Sequence, residues 1–263
     1  MLRGRKIVVI MPAFNAAQTI ERTHREIMGL GIVDRVVVVD DVSHDATAEI
    51  AGKLAHTTFH AHARNLGYGG NQKTCYQLAL AEGADIVVMV HPDYQYTPLL
   101  LPAMVELLCS GLFDVAMASR ILGGGALAGG MPLWRYIPNR AITFAENVLT
   151  GAKLSEYHSG YRAFTREVLE SVPFVENSDD FVFDNQILMQ VLWCGFKIGE
   201  ITCPTKYFPE ASSINPWRSL VYGCGCLGAA LRFRLARLGL ARPPASGRAR
   251  AAQNPVARAF DSN

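Results

Sequence analysis

The chain has 263 residues, 50% of them hydrophobic and 18% charged, with 25 Lys and Arg against 23 Asp and Glu for a net charge of +2. This composition fits one large α/β domain or two small ones and excludes a largely disordered chain, while the balanced charge excludes broad sequence-independent nucleic-acid binding. Six cysteines form no CxxC pair and no signal peptide opens the chain, so free thiols in a reducing cytoplasm are expected.

Residues 6–11 are a continuous apolar run ending at Pro12, the pattern of a buried parallel strand feeding a loop. Ile20, His24, Ile27 and Met28 recur at helical spacing within 17–30, and the β-branched run 35–39 is a second strand that ends in Asp40-Asp41. A helix over 45–54, a strand near 57–59, a helix over 70–81, a strand over 86–90, a helix over 99–108 and a strand over 114–118 continue the alternation. This order predicts a mostly parallel sheet with helices on both faces. Ligands of such sheets sit beyond the carboxyl ends of the strands, which is where Pro12-Ala13-Phe14-Asn15, Asp40-Asp41, Arg64-Asn65, His91-Pro92-Asp93 and Ser119-Arg120 collect.

Past Arg120, the glycines at 123–125 and 129–130 predict a flexible loop long enough to act as a lid. A helix over 139–149, a turn at 159–162, a helix over 183–193 and a strand leading into Cys203-Pro204 follow. No apolar run reaches the roughly 18 residues that span a bilayer. The stretch 220–238 interleaves Arg232, Arg234 and Arg237 with apolar residues, so it reads either as a packed helix with a basic face or as one lying on a membrane. Within it, Cys224 and Cys226 read as packing residues rather than metal ligands. The tail from 241 has no periodicity and reads as disordered.

Two adjacent acids at a strand end exceed what a helix cap needs, so at least one of Asp40 and Asp41 is expected to face a ligand, with Asp45 as a cap. His91-x-Asp93-x-Gln95 offers three ligand atoms on one side of the chain if it stays extended, enough for a hard cation whose shell is completed by phosphates and waters. The competing reading is a hydrogen-bonded turn set by Pro92 and Pro98. Arg64, Arg120, Arg135, Arg140 and Arg162 lie beside Gly, Ser, Asn or aromatic residues, a setting for anion recognition, and their number suggests two phosphorylated ligands.

The segments 12–15, Asp40-Asp41-Val42-Ser43-His44-Asp45-Ala46-Thr47, His91-Pro92-Asp93, Ser119-Arg120 and Ser159-Gly160-Tyr161-Arg162 resemble, in order, the motifs of family 2 inverting glycosyltransferases. Within them the chain is most similar to the polyprenol-phosphate (dolichol-phosphate) mannose or glucose synthase branch, over about residues 5–215. The resemblance implies a Rossmann-like GT-A fold, a nucleotide-sugar donor of the GDP-mannose or UDP-glucose type, a divalent cation (Mg²⁺ or Mn²⁺) and a polyprenyl-phosphate acceptor. It assigns Pro12, Phe14, Asn15, Asp40, Asp41, Arg64, Gly67 and His91 to the donor, and Asp93, His91 and Gln95 to the cation. It assigns Arg120, Arg135 and Arg162 to the acceptor phosphate, and Asp93, Arg120 and Asp184 to catalysis. Three positions depart from the pattern: His91 replaces the first Asp of D-x-D, Val42 the Gly after the two acids, and Phe208-Pro209-Glu210-Ala211-Ser212-Ser213 a late motif with an arginine before Gly-Ser.

The implied organisation is a transferase domain over 1–215, an amphipathic helix over 216–240 and a basic disordered tail over 241–263. The implied location is cytoplasmic and peripheral to the inner face of the membrane, reached directly or through a membrane-anchored partner subunit, with no nucleic-acid partner. A lipid phosphate is already anionic and needs no general base. A sugar hydroxyl in cell-surface polysaccharide synthesis would need one, for which Asp179, Asp180 and Asp184 are candidates beside their role as helix caps. Two other classes stay open: a nucleotidyltransferase, whose Gly-rich basic opening loop this chain lacks, and a non-catalytic nucleotide-sugar-binding protein with a degenerate metal site.

Overall fold

A computed structural model describes residues 1–204 and 216–245, so the 208–213 motif and the tail from 246 onward lie outside the described residues. Seven strands form one sheet: β1 (Ile7–Ala13), β2 (Arg35–Asp40), β3 (Thr57–Ala61), β4 (Ile86–Met89), β5 (Val115–Ser119), β6 (Arg162–Thr165) and β7 (Ile198–Thr202). Their spatial order is β3-β2-β1-β4-β6-β5-β7, parallel throughout except that β6 runs antiparallel to both β4 and β5.

Pleating divides each apolar run between two cores, because successive side chains point to opposite faces. Val8, Ile10, Val37, Val39, Val87 and Met89 join one core, with Cys75, Tyr76 and Ala79 of α3 (Gly67–Ala81) and Phe183, Ile187 and Leu188 of α8 (Phe183–Trp193). Ile7, Val9, Met11, Val36, Val38 and Val88 join the other, with Ile20 and Ile27 of α1 (Ile20–Gly29) and Leu101, Met104 and Val105 of α4 (Leu101–Cys109). Chain order leaves β1 toward β2 and β3, then returns to place β4 on its other side. The strand order therefore reverses between β1 and β4, and a crevice opens at their carboxyl ends.

The expected strands and helices are present, with shifted ends; the second helix is α2 (Thr47–Ala51). β6 is a correction: the segment read as a turn at 159–162 ends inside a buried strand, Met89 and Met117 flanking Arg162 in register. An arginine opening a four-residue strand hides its β pattern. α7 (Arg166–Ser171) follows directly. The glycine-rich stretch is also more ordered than expected. It contains a helical turn at Leu122–Gly124 and α5 (Gly125–Ala128), Ala126 and Met131 are buried, and the Thr202 hydroxyl donates to the Leu122 carbonyl at 2.5 Å.

α6 (Leu133–Thr150) begins six residues before the expected start, with Pro138 inside it, and Gly151 closes it at φ 79°. Its polarity is inverted. The fully buried side chains are Thr143 and Glu146, while Leu133, Ile137, Phe144 and Val148 are exposed, Phe144 at 71%. α9 (Pro216–Arg237) packs on α6 and α8 through Cys226, Ala230 and Phe233, all buried, and leaves Leu220, Val221 and Leu231 outside. The helix is thus packed on one side and carries exposed apolar and basic residues on the other. Ala245, in the stretch expected to be disordered, is buried against the first core. Among the described residues no helix is long and apolar enough to cross a membrane.

Candidate active site

The crevice is a cleft of about 1850 Å³. It brings together Pro12, Phe14, Asn15, Asp41, Gly67, His91, Asp93, Gln95, Arg120, Arg135 and Asp184 from the loops after β1, β2, β4 and β5 and from α3, α6 and α8. Asp40, Arg64 and Arg162 are not among its lining residues.

The two acids after β2 have different partners. Asp41 Oδ1 accepts from the Leu66 amide at 2.8 Å and Oδ2 from Gly67 at 2.9 Å, so this carboxylate satisfies orphan donors at the N-terminus of α3. His62 Nδ1 lies 2.8 Å from Oδ1, behind it. Asp40 Oδ2 accepts from Ser43 N at 3.0 Å, whereas its Oδ1 is buried with no partner. Asp45 does what a cap does, accepting from Thr47 N at 3.0 Å and Ala17 N at 3.1 Å.

Val42, where the resembled pattern has glycine, sits at φ 64°. A β-branched residue is strained in this left-handed region, at a cost of about 1–3 kcal/mol, and glycine adopts it freely. Val42→Gly is therefore expected to raise stability by roughly 1 kcal/mol after the entropic cost of glycine, a gain of about 2–4 °C in Tm. Thermal unfolding checks this, and a lower Tm would contradict it. Asn15 (φ 50°) and Tyr94 (φ 60°), both at the cleft, share this conformation.

Tyr94 breaks the extended geometry expected for 91–95. The segment turns, with Gln95 N donating to Asp93 Oδ1 at 3.0 Å, so the hydrogen-bonded turn is the geometry adopted, yet all three side chains still reach the cleft. Tyr94 is pinned to α1, its hydroxyl accepting from Arg22 NH2 at 2.9 Å and donating to Glu26.

His91 is oriented by residues that sequence reading missed. The buried Tyr68 hydroxyl, whose pKa is pushed well above its usual value by burial and by the Asp184 charge, donates to Asp184 Oδ2 at 2.8 Å. It can then only accept from His91 Nε2, 3.1 Å away, which makes Nε2 the donor of this bond and turns Nδ1 to the other side of the ring. A Cβ on Gly160 would overlap the His91 ring, so the loop before β6 seats against it. The available signal was Gly67-Tyr68-Gly69-Gly70, whose glycines let the start of α3 approach the 178–179 backbone: Gly69 N and Gly70 N donate to the Asp179 carbonyl at 2.7 and 3.2 Å.

The donor set fits a divalent cation of the kind the resemblance implies. His91, Asp93 and Gln95 all line the cleft, so an imidazole, a carboxylate and an amide are on hand, few enough ligands that a diphosphate would complete the shell.

Asp184 accepts from Tyr68 and, at 3.0 Å, from Gln72 Nε2, with Arg162 3.6 Å away. Both of its carboxylate oxygens are thus engaged by neighbouring side chains. Asp179 is paired with Lys73 at 2.7 Å, while Asp180 is exposed on the cleft wall. Arg120 faces the cleft but is held by Glu156, with Nη2 2.6 Å from Oε2 and Nε 3.1 Å away. Burial raises the Glu156 pKa, but the Arg120 guanidinium and amide outweigh burial and hold it below the usual carboxylate value. Arg135 lies over the Trp134 ring at 4.7 Å, and Arg64 is exposed away from the cleft. Arg162 is a correction to the acceptor set. It is fully buried, Nε donating to Ser159 O and Nη2 to Tyr157 O, both at 2.7 Å, and Nη1 to Asp184 O.

Known proteins resemble this chain. A dolichyl-phosphate hexose transferase of Haloferax volcanii is 28% identical across 83% of this chain and 93% of its own length. A polyprenol monophosphomannose synthase of Mycolicibacterium smegmatis is 24% identical across 74% and 76%. Of two longer Haloferax volcanii relatives the chain spans 34% and 57% of the length. The crystal structure of glucosyl-3-phosphoglycerate synthase from Mycobacterium tuberculosis, with Mn²⁺, UDP and glucosyl-3-phosphoglycerate, superposes with a TM-score of 0.63 at 21% identity, covering 91% of this chain and 82% of that one. This likeness establishes the GT-A fold. The model of the family described as "Glycosyl transferase family 2" matches residues 8–172, and with Asp41 and the 91–95 turn of that stretch on one cleft, the chain belongs to glycosyl transferase family 2.

Proposed function

We propose that this enzyme transfers a hexose from a nucleotide sugar, with inversion, to a polyprenyl phosphate at a membrane surface. The observation that carries the reading is the continuity of the cleft. One end is the polar crevice at Asn15, Asp41 and Asp93, and the other runs between α6 and α9 along Trp134, Pro138, Ile142, Leu220 and Leu227, with Arg120, Arg135 and Arg218 also on its walls. A ligand with an anionic head and an apolar tail matches that gradient. The outward apolar residues of α6 and α9 would bring this end against lipid, and their arginines would favour anionic headgroups. The names of the Haloferax and Mycolicibacterium relatives support the same acceptor class.

In this reading Pro12, Phe14 and Asn15 hold the nucleoside, Asp41 and Gly67 shape the start of α3 beside it, and Asp93, His91 and Gln95 hold the cation. When bound, the cation supplies charge neutralisation for the leaving diphosphate. Arg135, with Arg120 behind it, orients the acceptor phosphate. That oxygen is already anionic, so the protein's task is alignment rather than proton removal. Asp180 on the cleft wall is the group that would serve as base for a hydroxyl acceptor.

Purified protein with GDP- and UDP-sugars, Mn²⁺ and undecaprenyl phosphate in anionic vesicles should release nucleoside diphosphate and form glycolipid. Vesicle flotation should weaken as salt rises. Transfer to a soluble hydroxyl acceptor, lost in Asp180→Asn and accompanied by no vesicle binding at low salt, would replace this reading with the hydroxyl-acceptor one.

A further inference from the structure

α6, α8, α9 and the loop before β6 enclose a polar cluster whose Asn139, His158 and Tyr222 also border the cleft. Seven buried side-chain nitrogen or oxygen atoms among the described residues have no hydrogen-bond partner, and five belong to Asn139, Thr143, Glu146, His158 and Asn185. Three of these residues occupy the inverted inner face of α6. Burying polar atoms unpaired costs about 1–3 kcal/mol each, so such a concentration points to a missing partner.

Glu146 Oε2 and His158 Nε2, both unpartnered, are 3.5 Å apart, with side chains at 0% and 7% exposure. They and the buried Cys226 Sγ all lie within 4.8 Å of one another. Atoms with that spacing are at most about 2.8 Å from a common centre, against roughly 2.0–2.3 Å for zinc–ligand bonds, so a modest contraction closes a site. We infer that Glu146, His158 and Cys226 form a zinc site, distinct from the donor cation, that staples α9 to the transferase core.

The surrounding groups already orient each ligand. Asn185 Nδ2 donates to Glu146 Oε1, leaving Oε2 for the ion. The Tyr222 hydroxyl lies 3.0 Å from His158 Nδ1, so with Nε2 on the metal the Nδ1 proton has an acceptor. Sulfur, imidazole and one carboxylate favour zinc-like ions over Mg²⁺. A thiolate and a carboxylate neutralise its two charges, which makes burial tolerable. Without an ion, burial pushes the Glu146 carboxyl up to about 8 and the Cys226 thiol up, and brings His158 down to about 4, an uncharged cluster. Cys226, read from sequence as a packing residue, gains a second role in this proposal.

The test uses the full chain, stripped with chelator and reloaded with Co²⁺. One tightly held equivalent should give a sulfur-to-cobalt charge-transfer band in the near ultraviolet, displaced by Zn²⁺. Cys226→Ser should abolish the band, while Cys224→Ser, at an exposed position, and Asp93→Asn should keep it. Tyr222→Phe should weaken Zn²⁺ binding about tenfold through loss of orientation. Absence of the band in the unaltered protein, or its survival in Cys226→Ser, overturns the site. If Cys226→Ser does not fold, His158→Gln decides: at least a tenfold loss of Zn²⁺ affinity supports the proposal, and unchanged affinity refutes it.

Discussion

Replacing Asp93 with asparagine is expected to lower nucleoside-diphosphate release by on the order of 10²–10³-fold, the scale seen when a preorganised group facing developing charge is removed. Asp93 is the one carboxylate in the 91–95 turn, and breaking the sugar–oxygen bond in the proposed reaction leaves one further negative charge on the departing nucleoside diphosphate. Asparagine keeps an Oδ1 that can accept from Gln95 N, so the turn and the fold should survive. Circular dichroism and thermal unfolding should match the unaltered protein, and Mn²⁺-dependent donor binding should fall with turnover. Turnover within about threefold of normal, a difference of only about 0.7 kcal/mol, would place the cation elsewhere.

Arg162→Met is expected to destabilise the protein by about 3–5 kcal/mol, the cost of breaking a buried charged network by removing one partner. Its guanidinium serves the Ser159, Tyr157 and Asp184 carbonyls and lies 3.6 Å from the Asp184 carboxylate, with no exposed surface. Methionine fills much of the volume but leaves those acceptors unpaired in the interior. Urea unfolding measures the loss. The acceptor-phosphate role inferred from sequence makes the opposite prediction, near-native stability with a raised KM for acceptor, so one variant separates the two.

The order of elements was legible because continuous β-branched runs bounded by amphipathic helices leave few alternatives to a mostly parallel sheet. The exception was β6, whose opening arginine carries no apolar signal; three main-chain carbonyls make it acceptable inside the sheet. α6 was misread at its start, and its polarity stayed hidden, for a related reason. A helix that buries Thr143 and Glu146 and exposes Phe144 violates the usual face rule, and sequence alone gives no partner to justify it.

The strand-end motifs, taken alone, determined the fold class, the family and the neighbourhood of the site, since these depend on local patterns that survive in one dimension. Which carboxylate does what was decided only in three dimensions. Asp40 and Asp41 are adjacent in sequence, yet one caps α3 in front of His62 while the other keeps a buried oxygen unpaired. Tyr68, Asp184 and His91 are far apart along the chain and become one hydrogen-bonded series only when α3, α8 and the end of β4 converge. A side chain's chemistry is set by the partners that desolvate and orient it, and those partners come from whichever elements the fold packs together.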